Sequence, residues 1–239
     1  MLGGTALGVA AASQLPKDDV WWKYMLAVTA PVALAVAAAF MITNGINRRR
    51  IEAIDKELSK RGFNVKRSPE DEQKRAFYTP ISYLADWFGW RGGAGGIEWL
   101  AASQECGVFE HIYVSGSGKH AQEHLHTVAL FPLPAYLSEG FIAKRVGWGA
   151  IGRVRSSGHE VEIGIGDFDR KWDLSGNSDL GKSFLTSGVR NLLADSPVGE
   201  SWMVGGGYFC AAYKATFDAE NLAKFLDRAE KVWQAHVNS

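Results

Sequence analysis

The 239-residue chain is poor in cysteine, with two in all, too few for a disulfide framework or a four-cysteine zinc site. Its seven prolines and 27 glycines follow no triplet period, which excludes a collagen-like chain. With 46% hydrophobic residues it is neither a rod of charged heptads nor disordered throughout. It has no charge surplus, since 26 Lys and Arg balance 26 Asp and Glu. A dedicated nucleic-acid binder carries a basic excess, so no nucleic-acid partner is expected. Catalytic signatures are missing too: there is no G-x-S-x-G, H-E-x-x-H or G-x-G-x-x-G. The GSGK at 116–119 is not a phosphate loop, because Tyr113 stands where the first glycine belongs and His120 where Ser or Thr belongs.

One long uncharged run stands out. From Tyr24 to Asn47 no residue is charged, and the stretch is rich in Ala, Val and Leu. A bilayer core takes about 20 apolar residues as helix, and helix is the one single-segment way to satisfy the backbone there. Pro31 is expected to kink or loosen it. Trp21, Trp22 and Tyr24 form an aromatic belt at one end, and Arg48, Arg49 and Arg50 follow the other. The positive-inside rule then puts the N-terminus outside and the C-terminal part in the cytoplasm, at the cell inner membrane. Residues 2–15 are apolar but too short to span, and no basic region precedes them as in a secretory signal. A segment outside the membrane, a partner-bound helix and the tail of a longer span all remain open.

Past the span, 48–62 reads as a basic helix, with Ile51, Ile54 and Leu58 on one side and Gly62 as its stop. Between Arg48 and Arg75 ten Lys and Arg face six Asp and Glu, a surplus that reads first as a solvated juxtamembrane connector and second as a contact with anionic lipid of the inner leaflet. Phe77, Tyr78, Tyr83, Trp87, Phe88 and Trp90 place six aromatics in fourteen residues, too apolar for a free linker. They pack on the following domain, dock on the membrane interface or bind a partner. A glycine cluster at 92–96 closes this connector.

From Ile97 the pattern is mostly β. Strands are predicted at Ile97–Gln104, Val108–Ser115, Glu123–Phe131, Phe141–Val146, His159–Ile165 and Lys171–Leu174, and two more within 201–216 broken at Gly205–Gly207. Residues 177–195 are predicted as one helix capped by Asn177 or Ser178. The end of the chain is an amphipathic helix capped by Asp218, with Leu222, Phe225, Leu226, Ala229, Val232 and Trp233 inward. The expected fold is α+β: one N-terminal transmembrane helix, then a mainly antiparallel sheet with packed helices. The expected division is 1–20 outside the membrane core, 21–47 transmembrane, 48–96 connector and 97–239 cytosolic domain.

For chemistry, HAQEHLH offers His124 and His126 on one side of a strand, with Glu123 nearby, as weak candidates for a metal. No catalytic residue and no cofactor are expected. His111 reads as an ordinary strand histidine, and Cys106 and Cys210 as core thiols. Asp167, Asp169, Asp173 and Asp179 lack the spacing of a calcium loop and suit turns and caps. The membrane and contact residues are Trp21, Trp22, Tyr24, Arg48, Arg49, Arg50, Trp87, Phe88 and Trp90.

The succession of a membrane helix, a basic helix, HLHTVALFPLP at 124–134, DFDRKWDLSG leading into SFLTSGVRNLLAD, ESWMVGGGYFCAAY and a last amphipathic helix resembles a group of bacterial single-pass membrane proteins with a β-rich cytosolic domain. It is also distantly similar to trehalose monomycolate transport factor A, an accessory partner of a lipid exporter. The resemblance covers 24–236 in architecture, is specific at 124–134 and 165–195, and carries no catalytic residue. A costly transmembrane anchor and an aromatic-rich connector, with no catalytic constellation, lead to the expectation of an accessory or scaffold subunit of an inner-membrane protein complex, with that integral membrane complex as partner. The competing expectations are a lipid- or amphiphile-binding module and a metal-dependent hydrolase at His124, His126 and Glu123.

Overall fold

A computed structural model describes residues 21–67, 96–146, 161, 163–164 and 166–238, with backbone only at 21–28, 98, 167 and 169. The predicted strand 159–165, the apolar stretch 2–15 and the aromatic connector with Trp87, Phe88 and Trp90 lie wholly or mostly outside these residues. The chain forms two compact units, Met1–Ala53 and Ile54–Ser239.

The first unit is known through one helix, α1 (Trp21–Lys60), which runs on into the second. Pro31 lies inside it without ending it. Among the described residues this is the one helix long and apolar enough to cross a membrane, with a mean hydropathy of 1.7 over its most apolar window. Its large side chains face outward: Leu34 is 71% exposed, Phe40 65% and Met41 68%. No core-facing stripe forms, as expected of a segment that is apolar all round. The basic stretch continues the same helix, since nothing at Arg48–Arg50 breaks helical propensity.

The second unit begins where α1 turns amphipathic. Ile54 and Leu58 are buried, and the helix ends in a Schellman motif at Gly62, whose φ is +81°. The Phe63 amide donates to the Leu58 carbonyl at 3.0 Å and the Gly62 amide to Ser59 at 3.1 Å. The chain then enters an eight-stranded sheet. Its strands are β1 (Asn64–Arg67), β2 (Gly96–Ala102), β3 (Gly107–Ser115), β4 (Gln122–Pro132), β5 (Phe141–Arg145), β6 (Trp172–Gly176), β7 (Glu200–Gly205) and β8 (Tyr208–Tyr213). The spatial order is β1-β2-β3-β4-β8-β7-β5-β6, antiparallel throughout.

The helices are α2 (Gly166–Lys171), α3 (Ser178–Phe184), α4 (Ser187–Leu193) and α5 (Ala219–Val237). The single helix expected over 177–195 is two, because the Thr186 hydroxyl accepts from the Val189 amide and starts a new one. Strand β1 and helix α2 carry too little periodic signal in four and six residues to be read from sequence. One face of the sheet packs the helices. A rung of small residues, with Ala129 and Ala211 paired across β4 and β8 and Ala143 opposite Trp202, makes room for Leu222, Phe225 and Ala229 of α5. The fold is thus α+β, a long apolar N-terminal helix followed by an antiparallel sheet and a C-terminal helix.

Candidate functional site

Three places in the described residues combine polar chemistry with burial. The first lies at the end of the β3–β4 hairpin. The tight turn there contains Gly116 at φ +79° and a 3₁₀ turn at Gly118–His120. It sets a register in which His111 faces His126 and Tyr113 faces His124 across the strands. All four project to one side, because side chains alternate along a strand. Tyr113 is sandwiched, with ring centres 4.7 Å from His124, 5.6 Å from His126 and 6.0 Å from His111. His111 and His126 are buried. Burial pushes the His111 imidazole down to about 4. It pushes His126 down to about 3, helped by His111, Lys214 and His124. Both rings are therefore neutral at pH 7.

His124 is half-buried, and its Nε2 lies 2.6 Å from the Ser115 hydroxyl oxygen. A hydroxyl beside an imidazole is the first pair of a nucleophilic triad, but such a triad also needs an orienting third group and a preformed oxyanion site. Among the described residues neither accompanies this pair. Glu123 pairs with Val114 and so points to the opposite side from His124 and His126. The three weak metal candidates are not brought together, and no group of three or more His, Cys, Asp or Glu among the described residues could hold a metal ion. The arrangement is an aromatic stack of Tyr113 with three imidazoles, of which the buried His111 and His126 are neutral at pH 7.

The second place is a cavity of about 170 Å³ walled by Arg61, Phe63, Ser103, Cys106, Leu226 and Glu230. Burial pushes the Cys106 thiol up to about 12, which leaves no thiolate for chemistry. Arg61 is engaged by Asp227 at 2.7 Å and Glu57 at 3.3 Å. Ligand sites of drug size occupy roughly 300–1,000 Å³, so this cavity does not take a lipid chain.

The third is the pair of Glu200, fully buried at the start of β7, and Arg228 on α5, 2.7 Å apart. Burial keeps the Glu200 carboxyl above its usual range against the pull of Arg228. The pair ties α5 to the sheet. Sequence reading missed this contact, which joins residues 28 positions apart. It also missed the stacking of the histidines with Tyr113, although the turn glycines contained the register that implies it.

On α1, Arg48 holds Glu52 at 2.9 Å, Arg49 is exposed, and Arg50 donates to Asn47 at 3.2 Å. Trp21, Trp22 and Tyr24 occupy its first turn, with only their backbone described.

These features define an α+β domain joined to a helix of membrane-spanning length. No family model and no curated protein matches the chain. Among solved structures, the crystal structure of the mycobacterial trehalose monomycolate transport factor A, TtfA, is similar over 75% of this chain and 90% of that one, at 11% identity and a TM-score of 0.43. A likeness at that level carries no functional argument.

Proposed function

We propose that this chain is a non-catalytic, membrane-anchored accessory or scaffold subunit of an inner-membrane protein complex in bacteria. The observation that carries this reading is α1, a helix long and apolar enough to cross a bilayer, whose large apolar side chains from Val32 to Ile46 face outward and have no use in water. In this reading Trp21, Trp22 and Tyr24 sit at the outer interface, and Arg48, Arg49 and Arg50 meet anionic lipid on the cytoplasmic side, each contributing roughly 1 kcal/mol. The C-terminal domain is cytoplasmic. Anchoring raises its effective concentration beside membrane partners. The neutral imidazoles of His111 and His126 and the raised Cys106 thiol pKa support a structural rather than a reactive role for these three groups.

The test is purification of the full-length chain in mild detergent after crosslinking. Recovery of a stoichiometric integral membrane protein is the expected outcome, and repeated isolation of a monodisperse lone chain overturns the scaffold role. Topology is read separately, from maleimide-polymer labelling of cysteines introduced at Ser13 and Ser59. Labelling of Ser13→Cys in intact cells, and of Ser59→Cys only after lysis, is expected; the reverse pattern overturns the orientation.

A further inference from the structure

The cavity of about 170 Å³ beside α5 is built in two layers. Each element around it supplies an apolar side chain to the floor and a charged one to the mouth. The turn after α1 gives Phe63 and Arg61, the β2–β3 turn gives Cys106 and Glu105, and α5 gives Leu226 and Glu230. Leu226 and Glu230 share one side of α5 because they are four residues apart in a helix. Phe131 of β4 completes the floor. Cys106 is 8% exposed and Phe131 and Leu226 4% each, whereas Glu105 and Glu230 are open to solvent.

The turn that carries Glu105 is tightly bonded. The Ser103 hydroxyl oxygen accepts from the Cys106 amide at 3.0 Å and the Glu105 amide at 3.3 Å, and the hydroxyl donates to the Cys106 carbonyl at 3.2 Å. The Ser103 amide donates to the same carbonyl at 2.9 Å. These bonds fix the backbone of Glu105 and use the full capacity of the hydroxyl, which is one donor and two lone pairs.

Charge decides what such a cavity can hold. Arg61 is the cation among its lining residues, and it is already matched by Asp227 at 2.7 Å and Glu57 at 3.3 Å. The Glu105 carboxylate has no partner among the described residues, and Glu230 has the Gln234 amide at 3.4 Å. Two carboxylates are therefore uncompensated at the mouth. The Glu230 charge reaches the floor, where it adds to the effect of burial in raising the Cys106 thiol. An anion is repelled at such a site. A metal ion finds no group of three His, Cys, Asp or Glu ligands among the described residues. A lipid chain is too large.

We propose that this cavity binds a small organic ammonium ion, with its hydrocarbon body on Phe63, Phe131 and Leu226 and its N–H donors on Glu105 and Glu230. A cavity of about 150 Å³ takes a benzene ring, so the ligand has about six to eight non-hydrogen atoms. The charged head stays at the wet mouth, which keeps its desolvation partial, and the phenyl walls attract a cation through their ring quadrupoles. This site goes beyond the scaffold reading and stands without it.

The test is isothermal titration calorimetry of the full-length chain in detergent with benzylammonium chloride, benzyl alcohol and sodium benzoate. Saturable one-to-one binding of benzylammonium is expected, roughly tenfold or more tighter than that of benzyl alcohol, with benzoate not bound. In the double variant Glu105→Gln, Glu230→Gln the affinity for benzylammonium is expected to fall roughly tenfold, because two charge-assisted hydrogen bonds become neutral ones. Both positions are exposed, and far-ultraviolet dichroism checks that the variant keeps its fold. Should it not, the three ligands on the parent chain decide alone. Absence of saturable benzylammonium binding overturns the proposal. So does binding of the alcohol or the benzoate as tight as that of the ammonium, or an unchanged affinity in the folded double variant.

Discussion

Glu200 has no exposed surface, and its charge is met by a guanidinium that is itself 23% exposed. Removing one partner leaves a buried, uncompensated charge, so Arg228→Ala is expected to lower unfolding free energy by about 3–5 kcal/mol in urea titration. The double variant Glu200→Gln, Arg228→Met is expected to lose clearly less, and equal losses would mean the pair contributes only packing. His111 and His126 make the second residue-scale prediction. Their folded-state values, about 4 and about 3, lie below the ordinary 6.5. Above pH 6.5 both states are neutral and nothing changes. As pH falls below 6.5 the unfolded chain takes up protons that the buried rings refuse, so stability declines, by up to about 1.4 kcal/mol per pH unit for each histidine. The decline from His111 ends near pH 4, and that from His126 near pH 3. His126→Phe is expected to flatten stability measured between pH 6.5 and 4, and an unchanged slope would show that the ring is hydrated. In the sequence His126 was visible as a weak metal candidate and His111 as an ordinary strand histidine. Their neutrality was not, since it comes from burial that the tertiary structure decides.

At the scale of elements, ends were legible wherever a side chain caps a backbone. The Asp218 carboxylate accepts from the Asn221 amide at 2.8 Å, and Asn177 accepts from Leu180 at 2.8 Å, as the sequence predicts. Asp218→Ala is expected to destabilise the domain by about 1 kcal/mol, seen as a lower urea midpoint with the slope unchanged. The break at Thr186 was not legible, because apolar spacing from Leu180 to Leu193 fits one helix as well as two. What decides it is the turn the chain makes to lay Phe184 and Val189 on the same core. Close packing shows again at Gly181, where an alanine Cβ would sit 2.5 Å from the Phe141 ring. Gly181→Ala is expected to cost roughly 1–3 kcal/mol despite its better helix propensity, and a stabilised protein would show that α3 can shift. For the same reason helix propensity carries α1 straight through Arg48, joining what sequence reading divides into a span and a basic helix.

For the whole molecule, removing residues 1–47 is expected to move the chain from the membrane pellet to the supernatant while leaving the thermal midpoint of the remaining domain within a few degrees. Ile54–Ser239 is a compact unit of its own. A truncated chain that still pellets would put the membrane contact in the domain. The sequence by itself determined the long apolar helix, the antiparallel character of the sheet, the strands β2 to β5 within a residue or two, and the amphipathic α5. All of these are periodic or capped patterns written in neighbouring residues. Only the tertiary structure decided that β8 inserts beside β4 and β7 beside β5. It also decided that Glu123 turns away from His124 and His126, that Tyr113 is clasped by imidazoles, and that Glu200 meets Arg228. Those outcomes depend on which distant strands share hydrogen bonds, and pairing energy between strands carries no local mark in the chain.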